Sequence, residues 1–422
     1  MADFLIQIIM NKINLIAFLL FLFSVGTSLA QEQPKLTYKL SGFVRSDFCF
    51  DTRLSASANE GLFFLYPLNV SPDANGKDLN AIPYSGFHSF NTRVGLDIGG
   101  LKVFDANVSA KVEADFAGYS NSSTLLRIRR AFMTMKWENS SLLIGQEWHP
   151  MFGGVIPTLL SLNTGAPFNP FNRSPQINYN YKSGNVTLTA AALWQFQYHS
   201  IGPDGKTPNY QRNANVPEFS AAIDFKHDGI VLGALADYLT LRPRTSFIGS
   251  DQGIYKADER LSSFSYGAYA GYSSGLFSVK AKSIVGENLS DMAMHGGFGV
   301  TKIDATTGEQ EYTNFKHSSS WLNLTYGKKY QGGVFAGYTK NLGSNEELHA
   351  ASKVYGDGMG INELYRLCGT FTYNIPNFTI GLEYEFTNAA YGEGSRELSD
   401  GLFKSTHNVN SHRILGVICY YF

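Results

Sequence analysis

Charge is scarce in this sequence. Asp, Glu, Lys and Arg make up 16% of its 422 residues, against roughly 25% in average soluble proteins. The formal net charge is -1, so there is no global basic field, which excludes nucleic acid as a partner on electrostatic grounds. Cysteine is scarcer still: Cys49, Cys368 and Cys419 are odd in number and lack metal-ligand spacing. Neither a disulfide framework nor a redox site is expected from them. The histidines are scattered over strand ends and loops without the spacing of a helical zinc motif. No metal or cofactor is implied, and no catalytic constellation argues for an enzyme. Long apolar runs are absent after Ala30, where a membrane helix needs about 18 such residues or more. With a mean hydropathy of -0.13, a bundle of membrane helices is excluded. A membrane crossing would have to be made by strands.

The abundant features are those of strands. Aromatics reach 14% and Gly numbers 42, a profile that suits aromatic girdles and tight turns. From Leu36 onward apolar and polar residues alternate, most regularly over Asp105 to Ala117, where Ala106, Val108, Ala110, Val112, Ala114 and Phe116 oppose Asn107, Ser109, Lys111, Glu113 and Asp115. Phe87 to Gly99 reads as a strand with Phe90, Val94, Leu96 and Ile98 outward. The last strand, Ser411 to Phe422, has Ile414, Gly416, Ile418 and Tyr420 on one face and Arg413, Leu415, Val417, Cys419 and Tyr421 on the other. Its inward Arg413 is expected beside Lys39 and Arg45. This ending also resembles the C-terminal signature of Gram-negative outer-membrane proteins, a terminal Phe with an aromatic two residues before it.

Connections alternate between short and long. Gly99 to Lys102, Glu138 to Ser141, Lys182 to Asn185, Lys226 to Gly229, Ser273 to Gly275, Lys328 to Gln331 and Asn374 to Asn377 read as tight turns. Between them lie long segments such as Asp51 to Ser85, Pro150 to Pro175 and Ser200 to Pro217, with Tyr119 to Ser123 the one short exception. The count is about 16 strands in one all-β, transmembrane antiparallel barrel, with short periplasmic turns opposite long extracellular loops. A barrel of that size leaves an aqueous channel. At the N-terminus, the apolar core Ile13 to Val25 follows Asn11 and Lys12 and precedes Thr27, Ser28, Leu29 and Ala30, the pattern of a cleaved signal peptide over residues 1–30. The mature barrel is then residues 31–422, exported to the outer membrane; Asp3 is awkward in a positive n-region, which makes Met10 an alternative start.

The inward-facing charges carry the candidate site. Arg127 and Arg129 share a face of one strand, its hairpin neighbour presents Lys111, Glu113 and Asp115, and Arg45 and Arg93 lie inward on the first two strands. Two readings fit: a transverse field that admits anions, or a wall in which each Arg pairs with a neighbouring carboxylate. Arg130 would point outward, at roughly 2–4 kcal/mol if it faced lipid. Either a bulge turns it in or another subunit covers it, and Gln146, outward on the next strand, favours a subunit. The Pro150 to Pro175 segment is too apolar for an exposed loop, with Phe152, Ile156, Leu159, Leu160, Leu162, Phe168 and Phe171. Packed inside the barrel it narrows the pore, with Arg173 at its edge; packed outside, it contacts another subunit.

The hairpin Arg127-Ile128-Arg129-Arg130-Ala131-Phe132 and Leu143-Ile144-Gly145-Gln146-Glu147-Trp148, followed by Phe152, resembles the Arg-x-Arg-x-Ala-aromatic and Leu-x-Gly-Gln-x-Trp hairpin of DcaP-like trimeric porins. The resemblance implies a sixteen-stranded homotrimer in outer-membrane lipid, with an inward third loop and an arginine-rich eyelet passing anionic solutes, dicarboxylates and aromatic acids among them. Two features depart from it: Gln31 to Lys35 is too short for the periplasmic coiled coil of some members, and Glu147 adds a negative charge within the motif. The expected function is passive diffusion of small hydrophilic, anionic solutes, with Arg45, Arg93, Lys111, Glu113, Asp115, Arg127, Arg129, Glu147 and Arg173 lining the constriction. A structural or adhesive barrel with a blocked lumen is the alternative, and an outer-membrane enzyme a third.

Overall fold

The computed structural model describes residues 35–119, 123–350 and 353–422. The signal-peptide region lies outside the described residues, as does the middle of the Tyr119 to Ser123 connection. Sixteen antiparallel strands close into one membrane-spanning barrel. In chain order they are β1 (Thr37–Asp51), β2 (Arg93–Val103), β3 (Ala106–Tyr119), β4 (Ser123–Lys136), β5 (Ser140–Trp148), β6 (Arg173–Ser183), β7 (Val186–Leu193) and β8 (Glu218–His227). Then follow β9 (Ile230–Leu241), β10 (Leu261–Ser274), β11 (Phe277–Glu287), β12 (Gln310–Gly327), β13 (Tyr330–Ser344), β14 (Ile361–Ile375), β15 (Phe378–Glu393) and β16 (Ser405–Tyr421).

Each strand pairs with the next, and β16 pairs with β1 from Phe43↔Tyr421 to Asp51↔Arg413. The seam ends where Gly42 and Phe422 exchange backbone hydrogen bonds of 3.0 and 3.1 Å. A Cβ on Gly42 would meet the Arg93 carbonyl oxygen at 2.3 Å, so the closure needs a residue without one. Along β16, Ile414, Ile418 and Tyr420 are exposed on the outer face, whereas Leu415, Val417 and Cys419 are buried inside. The same outer face carries Leu188, Ile223, Leu232, Leu322, Val334 and Leu382, with Tyr181, Tyr272, Phe277, Tyr326, Tyr330 and Tyr420 exposed close to the short turns. An apolar band of this extent, edged with aromatics, is a surface for lipid. The three thiols are free and buried; Cys49 pairs in register with Leu415 and Cys419 with Arg45, at different heights of the wall.

Three sequence expectations are displaced. The first short turn is not at Gly99 to Lys102 but at Phe104 and Asp105, with φ of 49° and 59°. Gly99 and Gly100 form a bulge in β2, where pairing jumps from Ile98↔Ala110 to Leu101↔Val108. Gly100 is required there because a Cβ would lie 2.3 Å from the Lys35 carbonyl oxygen. Second, Phe87 to Gly99 is not continuous. A separate strand, Tyr84–His88, pairs with the upper part of β1, the chain turns over Ser89–Thr92, and Phe90 packs against the inner cluster that holds Cys49, Leu62, Leu160 and Leu415 rather than outward. Third, Arg413 is not beside Lys39 and Arg45. It lies level with Asp51, to which its Nη1 is bonded at 3.0 Å, because the antiparallel register sends the start of β16 to the loop end of β1.

The lumen is largely filled by chain. Residues 149–172 run inside the barrel, where Met151, Val155 and Phe168 pack against Leu235, Tyr269, Ile284, Trp321 and Phe335 of the wall. The first long loop also enters: a hairpin of Ser55–Ala58 and Phe63–Pro67 buries Phe64 completely and sets the Phe63 ring edge-on to Phe171, centroids 4.8 Å apart.

Candidate functional site

A bulge in β4 organises the site. Pairing with β3 moves from Glu113↔Arg130 to Ala114↔Ile128, leaving Arg129 as the extra residue. One extra residue reverses the alternation, so Arg127, Arg129 and Arg130 all reach carboxylates of the inner wall. Arg130 bonds Glu147 through Nε at 2.7 Å and through Nη2, with Glu113 at 3.8 Å. The outward Arg130 is thereby corrected. Gln146 opposes Ala131, and its amide donates to the carbonyls of Ile128 and Arg129, at 3.2 and 2.8 Å. With Gln197, which also donates to the Ile128 carbonyl, it satisfies the acceptors at the bulge, so neither residue calls for a covering subunit. Gly145 has φ +131°, and a Cβ there would lie 2.4 Å from the Ala131 carbonyl oxygen. The Gly-Gln pair of the motif is thus the complement of the arginine bulge.

The arginines converge on a cavity of about 240 Å³ between the β1–β6 wall and the inward segment. Arg45, Arg93, Arg127 and Arg129 line it together with Asn91, Trp148, Tyr198 and residues 159–162, and no carboxylate is among the lining residues. The carboxylates stand behind. Asp115, fully buried, accepts from Arg127 at 3.0 and 2.9 Å and from Arg129 at 2.9 Å. Glu113 accepts from Arg129 at 3.0 Å, with Arg93 at 3.7 Å. Arg45 bonds Asp47 at 2.6 Å and the Leu160 carbonyl at 2.6 Å, so it ties the wall to the inward segment. Lys111 is apart from this group, paired with Asp97 at 2.9 Å, and Glu147 is occupied by Arg130 and its neighbour's amide, Trp148 N, at 2.7 Å. Wall pairing thus describes most of these charges individually.

Arg173 differs from the others. Fully buried at the start of β6, it lies 4.8, 5.2 and 5.3 Å from the ring centroids of Trp148, Phe171 and Tyr198 and donates to the Tyr198 hydroxyl at 2.8 Å. Among the described residues its Nε and Nη1 have no hydrogen-bond partner. Three rings can stabilise a desolvated guanidinium by about 2 kcal/mol or more, without neutralising it. Counting Arg45, Arg93, Arg127, Arg129, Arg130 and Arg173 against Asp47, Glu113, Asp115 and Glu147 leaves two positive charges in excess.

The far side of the inward segment is anchored to the opposite wall. Glu383 accepts from the amides of Leu160 and Ser161, at 2.7 and 3.1 Å. Arg366 donates to the carbonyls of Ala166 and Leu65, at 2.9 and 2.6 Å, and pairs with Glu385 at 3.1 Å. Asn323 accepts from Thr158 N at 2.8 Å, and the buried Lys282 bonds Phe152 O and, at 2.9 Å, Asn169 Oδ1. Sequence reasoning missed this anchor set and the hairpin at 55–67. Two signals were present: Glu383 and Glu385 alternate on one face of β15, and Leu62-Phe63-Phe64-Leu65-Tyr66 is as apolar as the segment after His149.

No family model and no curated protein matches the chain. Among solved structures, the outer membrane channel DcaP of Acinetobacter baumannii aligns over 93% of this chain and 100% of its own, with a TM-score of 0.65 at 18% identity. OmpT of Vibrio cholerae aligns over 93% and 99%, with a TM-score of 0.54 at 10% identity. OmpF of Salmonella typhi aligns over 92% and 98%, with a TM-score of 0.50 at 12% identity. At these identities the likeness is one of fold: the chain is built as the outer-membrane porin barrels are, and it resembles the DcaP channel.

Proposed function

We propose that the protein is an outer-membrane porin, exported by a cleaved leader over residues 1–30, in which small hydrophilic, anionic solutes cross by passive diffusion past the arginine cavity. The observation that supports this reading is a lumenal cavity lined by four guanidinium groups and no carboxylate. Fixed positive charge at a low-dielectric constriction raises the local concentration of anions. The inward segment narrows the passage, and Arg173 adds a guanidinium with two nitrogens unbonded among the described residues. A homotrimer fits the resemblance to trimeric porins, and one of the similar solved structures is described as a trimer form of Vibrio OmpT; the mass of the detergent-solubilised protein tests it.

A blocked, structural or adhesive barrel is favoured by a different observation, the anchoring of residues 156–168 to Glu383, Arg366, Asn323 and Lys280 on the far wall. Liposome swelling separates the two readings. A porin admits small dicarboxylates faster than neutral sugars of similar size, whereas a blocked barrel gives no swelling with either.

A further inference from the structure

At the foot of the inward segment, next along the chain from Trp148 and Phe171 of the arginine cavity, lies a second group of buried charges. His149 follows β5 and begins the inward run; Glu218 opens β8 and Asp237 lies on β9. His149, Glu218 and Asp237 bring ligand-type atoms within 4.8 Å of one another, and His149 and Glu218 are fully buried while Asp237 is 5% exposed. His149 Nδ1 accepts from the Met151 amide at 3.1 Å, which leaves the ring proton on Nε2, 3.0 Å from Glu218 Oε1. The Glu218 and Asp237 carboxyl groups also face each other at hydrogen-bonding range. Glu218 Oε2 and Asp237 Oδ1 have no hydrogen-bond partner, and among the described residues no Lys or Arg forms an ion pair with either carboxylate.

A third acid is independent of this triad. Asp291 comes from the loop after β11, is 1% exposed, and its Oδ1 also lacks a partner. Its charge acts on both Glu218 and Asp237. Asn172 ties it to the site: its backbone carbonyl accepts from His149 N at 3.0 Å and its side-chain amide faces Asp291 Oδ2 at 3.4 Å. Three buried acids, each with one oxygen that no protein donor reaches, have only the His149 N–H and the Asn172 amide as side-chain donors; a cation would relieve the cost of burying their charge, in competition with a proton shared between Glu218 and Asp237.

We propose that Glu218, Asp237 and Asp291 bind one divalent cation of the hard, oxygen-preferring class, with Ca²⁺ as the type ion and His149 as the positioning residue that holds the Glu218 carboxylate. Carboxylate oxygens suit calcium or manganese, and an imidazole whose Nδ1 is taken by a backbone amide is poorly placed to ligate through Nε2. Such an ion would clasp both stems of the inward segment, His149 and Asn172, to the barrel wall. The inference does not depend on what crosses the barrel.

The test uses the full mature chain, folded in detergent and stripped with EDTA. Isothermal titration with CaCl₂ should give one site per chain, and the melting temperature should rise with added Ca²⁺. His149→Gln should weaken Ca²⁺ binding by roughly 10- to 100-fold, as loss of an orienting partner does. Glu218→Gln combined with Asp237→Asn should abolish binding yet melt no lower than the native chain in EDTA, because it removes the uncompensated charge. Absence of Ca²⁺ binding to a folded native chain would overturn the proposal. So would binding of Zn²⁺ with Ca²⁺ ignored, which would make His149 a ligand, or undiminished Ca²⁺ binding in the doubly neutralised variant if that variant folds. Should it not fold, Asp291→Asn carries the same expectation of weakened binding, and unchanged affinity there would count against the assignment.

Discussion

Replacing Asp115 by Asn separates the structural role of the arginine wall from its electrostatic one. The carboxylate takes three charge-assisted bonds, two from Arg127 and one from Arg129, and the Ala117 amide at 3.2 Å. Breaking a buried pair by removing one partner costs about 3–5 kcal/mol. The amide keeps the volume and one acceptor oxygen, so the loss should fall near the low end, about 3 kcal/mol. The same change raises the excess positive charge by one. At an assumed separation of about 6 Å from a passing ion, one unit charge is worth about 0.7 kcal/mol even at the dielectric of water. An anion gains that amount and a cation loses it, so the anion-to-cation permeability ratio should rise by about tenfold at low salt. Guanidinium unfolding in detergent reads the first effect, and the zero-current potential across a planar bilayer reads the second. A lower unfolding midpoint together with stronger anion preference is expected. An unchanged permeability ratio, or a shift toward cations, would refute the placement of these arginines beside the ion path.

Gln146→Leu removes the side-chain donor of the Arg129 carbonyl, while Ile128 O keeps Gln197, and should cost about 1–3 kcal/mol, read as a lower denaturation midpoint; an unchanged midpoint would return Gln146 to the role of an outer-surface residue. Gly145→Val puts a branched side chain at φ +131° with its Cβ about 2.4 Å from a backbone oxygen, and should prevent recovery of heat-modifiable, folded barrel on gels. Glu383→Gln removes an acceptor from the amides of Leu160 and Ser161; if the segment narrows the pore, single-channel conductance should rise or flicker, and a trace identical to the native one would show that this anchor does not hold it.

Much of the barrel is legible in the sequence because its two solvents differ. Lipid outside and polar lumen inside impose a period of two on every strand, so Asp105 to Ala117 and the end of β16 could be assigned face by face. Legibility fails wherever one residue is added or two backbones meet closely. Phe104 and Asp105 make the turn that the sequence places at Gly99 and Gly100, because aspartate tolerates a left-handed backbone while the glycines serve a bulge. The Arg129 bulge is invisible to periodicity for the same reason: a local insertion leaves composition untouched but reverses Arg130. Alternation puts Arg413 on the inward face but not at its level beside Asp51, since only register fixes the level. Inside the lumen the rules change again. The apolar run after His149 announces a packed segment, whereas Glu383, Arg366 and Lys282 do not reveal what they hold even where alternation places Glu383 and Glu385 on one face, because one polar side chain on an inward face looks like another until the chain it touches is in place.

The central claim is that positive charge beside the inward segment selects what passes. The zero-current potential of the purified native protein in a planar bilayer, under a KCl gradient at low ionic strength, tests it most directly. A potential of the sign set by chloride flow, diminishing as salt screens the arginines, is the predicted result. A cation-directed potential, or no conductance at all, would contradict it.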